Sequence, residues 1–301
     1  MSADKSHVET ETAGQPECWR RAAEVAVDRS AALPAAGERV AVVGCGTSYY
    51  MAQAYASLRE ESGQGESDAY AASEFPFRRA YDRVVALTRS GTTTEVLALL
   101  SRLRGTTRTV AVTADPETPV REAADDLVVL DFADERSVVQ TRFATTALPL
   151  FRAHLGLHTE DVVRDAETAL AEPLPEGLLD CTQFSFLGRG WTVGLANEAA
   201  LKMKEASLSW TESYPAMEYR HGPISIATAG TATWMFGAAP EGLREQVLAT
   251  GARWVESGLD PLADLVRVQR LAIARAAARG LDPDRPRHLT RSVVLGTAAG
   301  A

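Results

Sequence analysis

Residues 184 to 226 read FSFLGRGWTVGLANEAALKMKEASLSWTESYPAMEYRHGPISI, and this stretch decides the architecture. Phe184 to Leu187 is a short apolar strand, Gly188-Arg189-Gly190 is a turn, and a long helix follows. Beyond the helix an extended linker leads into Tyr219-Arg220-His221-Gly222-Pro223. Glu198, Lys202 and Glu205 stand at i, i+4 and i+7 of the helix, which places them in one narrow stripe. Leu195, Ala199 and Ala206 flank the stripe on one side, Leu201 and Leu208 on the other. The opposite, polar face carries Asn197, Lys204 and Ser207. A carboxylate–ammonium–carboxylate row is therefore expected to face the interior. A solvated Glu–Lys pair at this spacing would contribute only a few tenths of a kcal/mol, and the apolar flanks argue for burial instead. Buried charges are costly unless paired or used, and they are where pKa values shift. With His221 near, such a row can move protons beside a carbonyl.

Working outward, the same pattern occurs earlier in the chain. Val40-Ala41-Val42-Val43-Gly44-Cys45-Gly46 matches Phe184-Ser185-Phe186-Leu187-Gly188-Arg189-Gly190, which suggests an internal duplication. Strands are expected over 39–43, 83–87, 107–113 and 127–130, and residues 69–75 read as a further strand with a loop, Ala71 to Phe75. Helices are expected from the 44–50 turn to about Glu61, from the 88–95 turn to Leu103, and from Thr141 to His154. The second half continues with strands at 231–236 and 252–256, a short helix at 241–250 and a long one at 261–279. Alternating short strands and helices specify a parallel, helix-covered sheet, hence an α/β fold. Residues 1–36 read as a polar, disordered tail (to residue 15) and an N-terminal helix from Pro16 to Leu33, ended by Pro34. The first subdomain is expected over 37–165 and the second over 177–301. Between them, residues 160–176, with Pro173 and Pro175, read as a bridge. A tail, Asp282 to Val293, closes the second subdomain.

Two glycine turns carry the binding signals. Gly44-x-Gly46 resembles the start of a dinucleotide fingerprint, but Tyr49 stands where the third glycine belongs and would block close helix–strand packing. The turn is better read as backbone N–H groups with the Thr47 and Ser48 hydroxyls at a helix N-terminus. The stronger anion signal is Thr88-Arg89-Ser90-Gly91-Thr92-Thr93-Thr94, where hydroxyls crowd a strand-to-helix junction. A helix N-terminus carries roughly half a positive charge and free N–H donors, so it can hold one phosphate without lysine. No Gly-Lys-Ser/Thr follows, so it is not a P-loop. The ordinary alternative is a Ser/Thr cap in an unremarkable loop.

Composition narrows the class. The chain has 301 residues, 46% hydrophobic and 24% charged, with a net charge of −9. These are globular values, and the acidic balance argues against a nucleic-acid surface. An anionic substrate would need local donors. Cys18, Cys45 and Cys181 are too few and too widely spaced for a disulfide framework or a zinc site. The five histidines form no metal spacing, and no metal or organic cofactor is expected. Met1 to Glu17 lack the apolar core of a signal peptide, and no run suits a membrane span. The expected compartment is the reduced cytoplasm.

At these residues the chain resembles the SIS (sugar isomerase) family. It is similar to the isomerase half of glucosamine-6-phosphate synthase and to stand-alone amino-sugar phosphate isomerase/deaminases. The resemblance is carried by GCGTSYY at 44–50, ASEF at 72–75, TRSGTTTE at 88–95, LGRG at 187–190, NEAALKMKE at 197–205, YRHGP at 219–223 and DPDRPRHLTRSV at 282–293. It implies two flavodoxin-like SIS subdomains and a homodimer with sites at the interface. It also implies a phosphorylated amino-sugar substrate. Thr88, Ser90 and Thr93 match phosphate-binding positions, with Arg89 in the same turn and Ser48 nearby; Gly46 and Thr47 lie toward the sugar hydroxyls. Glu205 matches the proton-shuttling carboxylate and His221 the ring-opening imidazole, which reaches the partner's site. Glu198 and Lys202 match residues lining the reacting end. Departures are also visible. Too few residues precede the first strand for the synthase's glutamine-hydrolysing domain, so isomerase/deaminase chemistry is expected over synthase activity. Arg291 replaces a lysine that closes over the substrate, and arginine cannot form an imine. The segment 231–261 is short, so a reduced second sheet is expected. The family also contains lyases, which leaves a dehydratase open, and a sugar-phosphate sensor is a further alternative.

Overall fold

The computed structural model describes residues 5–295. Its order begins α1 (His7–Ala13), α2 (Gln15–Asp28), β1 (Val40–Gly44), α3 (Thr47–Glu61), β2 (Ser67–Ala71), β3 (Arg83–Leu87) and α4 (Thr94–Leu103). It continues with β4 (Arg108–Thr113), α5 (Val120–Ala123), β5 (Asp126–Val129), α6 (Arg142–His154) and α7 (Glu160–Ala171). The second half holds β6 (Gln183–Gly188), α8 (Thr192–Ser207), β7 (Trp210–Pro215), β8 (Thr231–Met235), α9 (Leu243–Ala249), β9 (Arg253–Val255) and α10 (Pro261–Ala278).

The strands form two parallel sheets, one of five strands ordered β2-β1-β3-β4-β5 and one of four ordered β7-β6-β8-β9. The two orders coincide once the last strand of the first sheet is dropped, so each half reverses direction at its own first strand. Each reversal leaves a crevice beyond the carboxyl ends of two strands, where open α/β sheets bind ligands. The fold is thus the expected pair of α/β units with a reduced second sheet.

β1 and β3 are buried on both faces, as the continuous apolar runs require. Helices α3 and α8 pack directly on each other between the two sheets. Gly194 makes this possible: a Cβ there would lie 2.5 Å from the Tyr50 carbonyl oxygen and 2.8 Å from the Ala54 nitrogen. The contact brings the first turn of α3 against the charged row of α8. On the outer side, Tyr55 stacks on Phe151 at 3.8 Å between centroids, and buried Trp19 donates to Thr145.

Several expectations change. Residues 7–13 are not a disordered tail but α1, whose Ser6-x-x-Glu9 capping box satisfies its first turn. Asp284 accepts from the His7 and Val8 N–H groups at 2.7 and 2.9 Å, so the C-terminal segment caps the N-terminal helix. Helix α2 stops at Asp28, before Pro34. Strand β2 starts at Ser67, two residues before the expected Ala69, and the expected loop after it holds a 3-10 turn at Ala72–Glu74. The bridge begins as a true helix, α7, because Val162, Val163, Ala166 and Ala169 make one buried stripe. The extended linker after α8 is strand β7, paired with β6 in register from Gln183–Trp210 to Gly188–Pro215. Leu208 does not flank the charged row. It is the left-handed cap of α8, 43% exposed, while Ser207 is buried and donates to the Met203 carbonyl.

Candidate active site

Two turns and one helix build the site. Strand β1 ends at Gly44, where a Cβ would lie 2.6 Å from the Ser48 backbone, so glycine is needed for α3 to start so close to its strand. Gly46 has φ +55, a conformation glycine adopts freely. Thr47 and Ser48 follow in the first turn of α3, both buried. Across the α3–α8 contact, Lys202 Nζ donates to Thr47 Oγ1 at 3.3 Å.

The row on α8 is buried as its flanks required. Lys202 Nζ lies 2.8 Å from Glu205 Oε2 and 3.3 Å from Glu198 Oε1. The Lys202 and Glu198 side chains are 1% and 0% exposed, and Glu205 is 18% exposed. Neither Glu198 oxygen has a hydrogen-bond partner among the described residues. Burial pushes the Glu198 carboxyl up to about 7, against the lowering pull of the Lys202 ammonium. Burial drives Lys202 the other way, but the two carboxylates outweigh it and hold the ammonium above its usual range. With two carboxylates and one ammonium, the row carries one negative charge too many for a dry site. Glu198 is the member that can hold a proton near neutrality.

The second turn follows β3. Thr88 is buried with an unpartnered hydroxyl. Gly91 has φ +62, and a Cβ there would collide with Thr118 Oγ1 at 2.0 Å. Thr93 is the N-cap of α4, yet its side chain makes no capping hydrogen bond, so its hydroxyl is left for another contact. Cys45, Gly46, Thr47, Thr93 and Glu205 share one cavity of about 160 Å³ with Val138, Gln140 and the tail residues 289–293. Burial pushes the Cys45 thiol up to about 11, so it is a neutral wall. A larger hollow of about 350 Å³ lies beside α1 and α10, but the charged row does not border it.

The remaining expected site residues divide. Ser90 stands in the hydroxyl turn. Arg291 borders the cavity, its Nη2 held by Asp134 at 2.5 Å and its Nε donating to the Glu135 carbonyl at 3.1 Å. Arg89 does not point its charge into the cavity. Its buried guanidinium donates to the Ser137 carbonyl at 3.0 Å and the Arg291 carbonyl at 2.8 Å, with Glu135 Oε2 at 3.6 Å. It fastens the 135–140 loop and the tail together, so its contribution to the cavity is made through them. His221 is exposed in a 3-10 turn over Glu218–His221 and does not border the cavity of its own chain.

Residues absent from the sequence reading complete the walls. Gln140 reaches the cavity from the loop before α6, and its oxygen is buried without a partner. Glu135, fully buried, accepts from the N–H groups of Thr141 and Arg142, both at 2.6 Å, at the start of α6. Glu11 of α1 accepts from the Arg136 N–H at 2.6 Å and from the Ser137 hydroxyl. The signal for Gln140 was a polar pair, Gln140-Thr141, immediately before a helix. The Glu11 contact has no local signal.

A doubly wound pair of parallel sheets, with a hydroxyl-lined turn facing a buried acid–base row, defines a class of sugar-phosphate-handling α/β proteins. Comparison with known proteins agrees. No protein-family model matches the chain. It is 28% identical over 295 residues to the glutamine–fructose-6-phosphate aminotransferase [isomerizing] of Sulfurisphaera tokodaii, covering 86% of this chain and 50% of that protein. It is 30% identical over 319 residues to the protein of the same name from Gloeobacter violaceus, covering 86% and 52%. The chain thus spans about half the length of the curated relatives it matches. Among solved structures, glucosamine-6-phosphate deaminase from Thermotoga maritima superposes with a TM-score of 0.82 at 27% identity, covering 96% of this chain and 100% of that one. Tagatose-6-phosphate ketose/aldose isomerase from Escherichia coli shares the fold, with a TM-score of 0.81 at 18% identity over 100% and 99% of the two chains. In sequence and in fold the chain is similar to the SIS family of phosphosugar isomerases.

Proposed function

We propose that the chain is an enzyme acting on a 6-phosphorylated amino sugar of the glucosamine 6-phosphate type, isomerising it with or without loss of ammonia. The observation that carries this reading is the burial of Glu198, Lys202 and Glu205 in one row whose open end, Glu205, shares a cavity with Thr47 and Thr93. The hydroxyls of Thr88, Ser90 and Thr93, with Ser48 near, take the phosphate at the N-terminus of α4. Gly46 and Thr47 face the sugar. Glu205 removes the proton at C2 and returns it at C1. Lys202, 2.8 Å from it, stabilises the negative charge that develops. His221 opens the sugar ring by passing a proton between its ring and C1 oxygens. Because His221 stands outside its own chain's cavity, it does so from a second copy in a homodimer. The reaction uses no metal or organic cofactor, and the enzyme works in the cytoplasm.

A second reading has one observation in its favour. The cation at the cavity mouth is Arg291, tied to Asp134 and unable to form an imine. Removal of the C2 proton from N-acetylglucosamine 6-phosphate, with departure of the C3 hydroxyl as water, needs no imine.

The test is to incubate the purified protein with glucosamine 6-phosphate and with its N-acetyl form, following mass and ammonia. Ketose phosphate and ammonia from the free amine support the leading reading. Loss of one water from the acetylated sugar, without ammonia, replaces it with the lyase. Thermal stabilisation by either sugar with no turnover replaces both with a sensor.

A further inference from the structure

Three hydroxyls of the turn already meet a side chain of the same molecule. Ser292 of the C-terminal tail accepts from Ser90 Oγ at 3.1 Å and from Thr92 Oγ1 at 2.9 Å, and its hydroxyl lies 3.4 Å from Thr93 Oγ1. One residue further, the Val293 carbonyl accepts from the Thr94 N–H at 3.1 Å. That N–H belongs to the first turn of α4, where orphan donors would otherwise face an anion. Leu295 N–H donates to Thr94 Oγ1 at 2.9 Å. Behind these contacts, Arg89 holds the Arg291 carbonyl, and Asp134 holds the Arg291 side chain.

At 2.9 to 3.4 Å the Ser292 hydroxyl stands where a phosphate oxygen would meet Ser90, Thr92 and Thr93. The cavity that remains, about 160 Å³, is small beside the roughly 300 Å³ or more of a typical ligand pocket.

We infer that residues 291–295 are a built-in competitor for the phosphate cradle: Ser292 and the Val293 carbonyl occupy it at rest, and a phosphoryl group binds by displacing them. This rests on the proposed function only in taking the 88–94 turn as the phosphate site. The competitor is neutral. A phosphate brings full negative charge and oxygens that accept only, so every hydroxyl of the turn can donate to it, and charge-assisted bonds are about twice as strong as neutral ones. The displacement is thus downhill for a phosphorylated ligand and not for an unphosphorylated sugar.

The experiment measures inorganic phosphate binding by calorimetry at constant ionic strength, with chloride as control, on the full chain and on two variants. Ser292→Ala removes the hydroxyl contacts and is expected to bind phosphate about fivefold more tightly, the equivalent of roughly one net hydrogen bond. Ser292→Asp puts a carboxylate on the tail and is expected to bind about tenfold more weakly, because the tail then competes as an anion. Melting curves of both variants confirm the fold. Trypsin gives a second readout, since the carbonyl of the Arg291–Ser292 bond is held by Arg89. Phosphate is expected to speed cleavage there. Weaker binding by Ser292→Ala, with phosphate slowing cleavage, would overturn the inference and make the tail a lid. Failure of all three folded proteins to bind phosphate would remove the cradle itself, and with it the phosphate site of the proposed function. Equal binding by all three with unchanged cleavage would overturn the inference alone.

Discussion

Lys202 sits between two carboxylates in a dry site, and its removal leaves their charge uncompensated. Breaking a buried pair by deleting one partner costs about 3–5 kcal/mol. Lys202→Met is therefore expected to lower stability by about 3 kcal/mol in urea unfolding and to abolish turnover, whereas a surface lysine such as Lys204 should do neither. Glu198 gives the site a pH signature. Its folded pKa is raised from 4.5 to about 7, so between those values the folded state holds a proton that the unfolded chain has lost. Its contribution to stability is full below about 4.5, fades as pH rises through 7, and is least above it. Glu198→Gln keeps the shape and removes the titration. A urea series across that window should show a flatter pH dependence in the variant; an unchanged curve would count against a buried, protonated Glu198. The row was legible because helical periodicity fixes which residues share a face. Arg89 was not legible: the direction of its guanidinium is set by Glu135 and the tail, which no local pattern announces.

At the scale of elements, two close approaches hold the site together. The first is α3 against α8 at Gly194. Gly194→Ala places a methyl 2.5 Å from the Tyr50 carbonyl, and both partners are backbone. Overpacking of this kind costs typically about 1–3 kcal/mol. The melting temperature should fall, and activity should fall further than stability, because the 3.3 Å contact between Lys202 and Thr47 spans the same interface. The second is α1 against the loop before α6. Glu11→Gln keeps the size but loses a buried carboxylate that accepts from Arg136 and Ser137. Hydrogen exchange at those two amides should accelerate, and unchanged protection there would show that α1 does not anchor the loop. Most elements were readable from alternating apolar runs and glycine turns. Helix α1 was readable from its Ser6-x-x-Glu9 box and went unread because its composition is polar. Strand β7 hid because an edge strand with half-exposed residues lacks a buried run.

For the whole molecule, the position of His221 makes a statement about assembly. It is exposed and stands away from its own cavity, so the proposed reaction needs two copies. His221→Ala and Glu205→Gln should each be inactive alone. Mixed after unfolding and refolding together, they should regain about a quarter of wild-type activity, since half the dimers are mixed and each has one complete site. No recovery would place His221 and Glu205 in the same chain's reaction. The doubled architecture was visible in the matching strand-turn segments, yet the second copy has Trp191 at the position of Thr47, and its one remaining hydroxyl, Thr192 at the position of Ser48, is bonded to the Arg189 and Phe236 carbonyls. In the second, the turn after β6 is met by the Glu61 carboxylate, which would lie 2.4 Å from a Cβ at Gly190. An acid from the first half thus sits where the second half's own crevice begins.

The cap that Asp284 places on His7 and Val8 has a practical side. It ties the 282–284 segment to α1, and α1 in turn holds the loop that walls the cavity through Glu11. A truncation that removes Asp284 would therefore loosen that wall without touching a cavity residue. Kinetics of so shortened a protein would report on the wall as well as on the charged row.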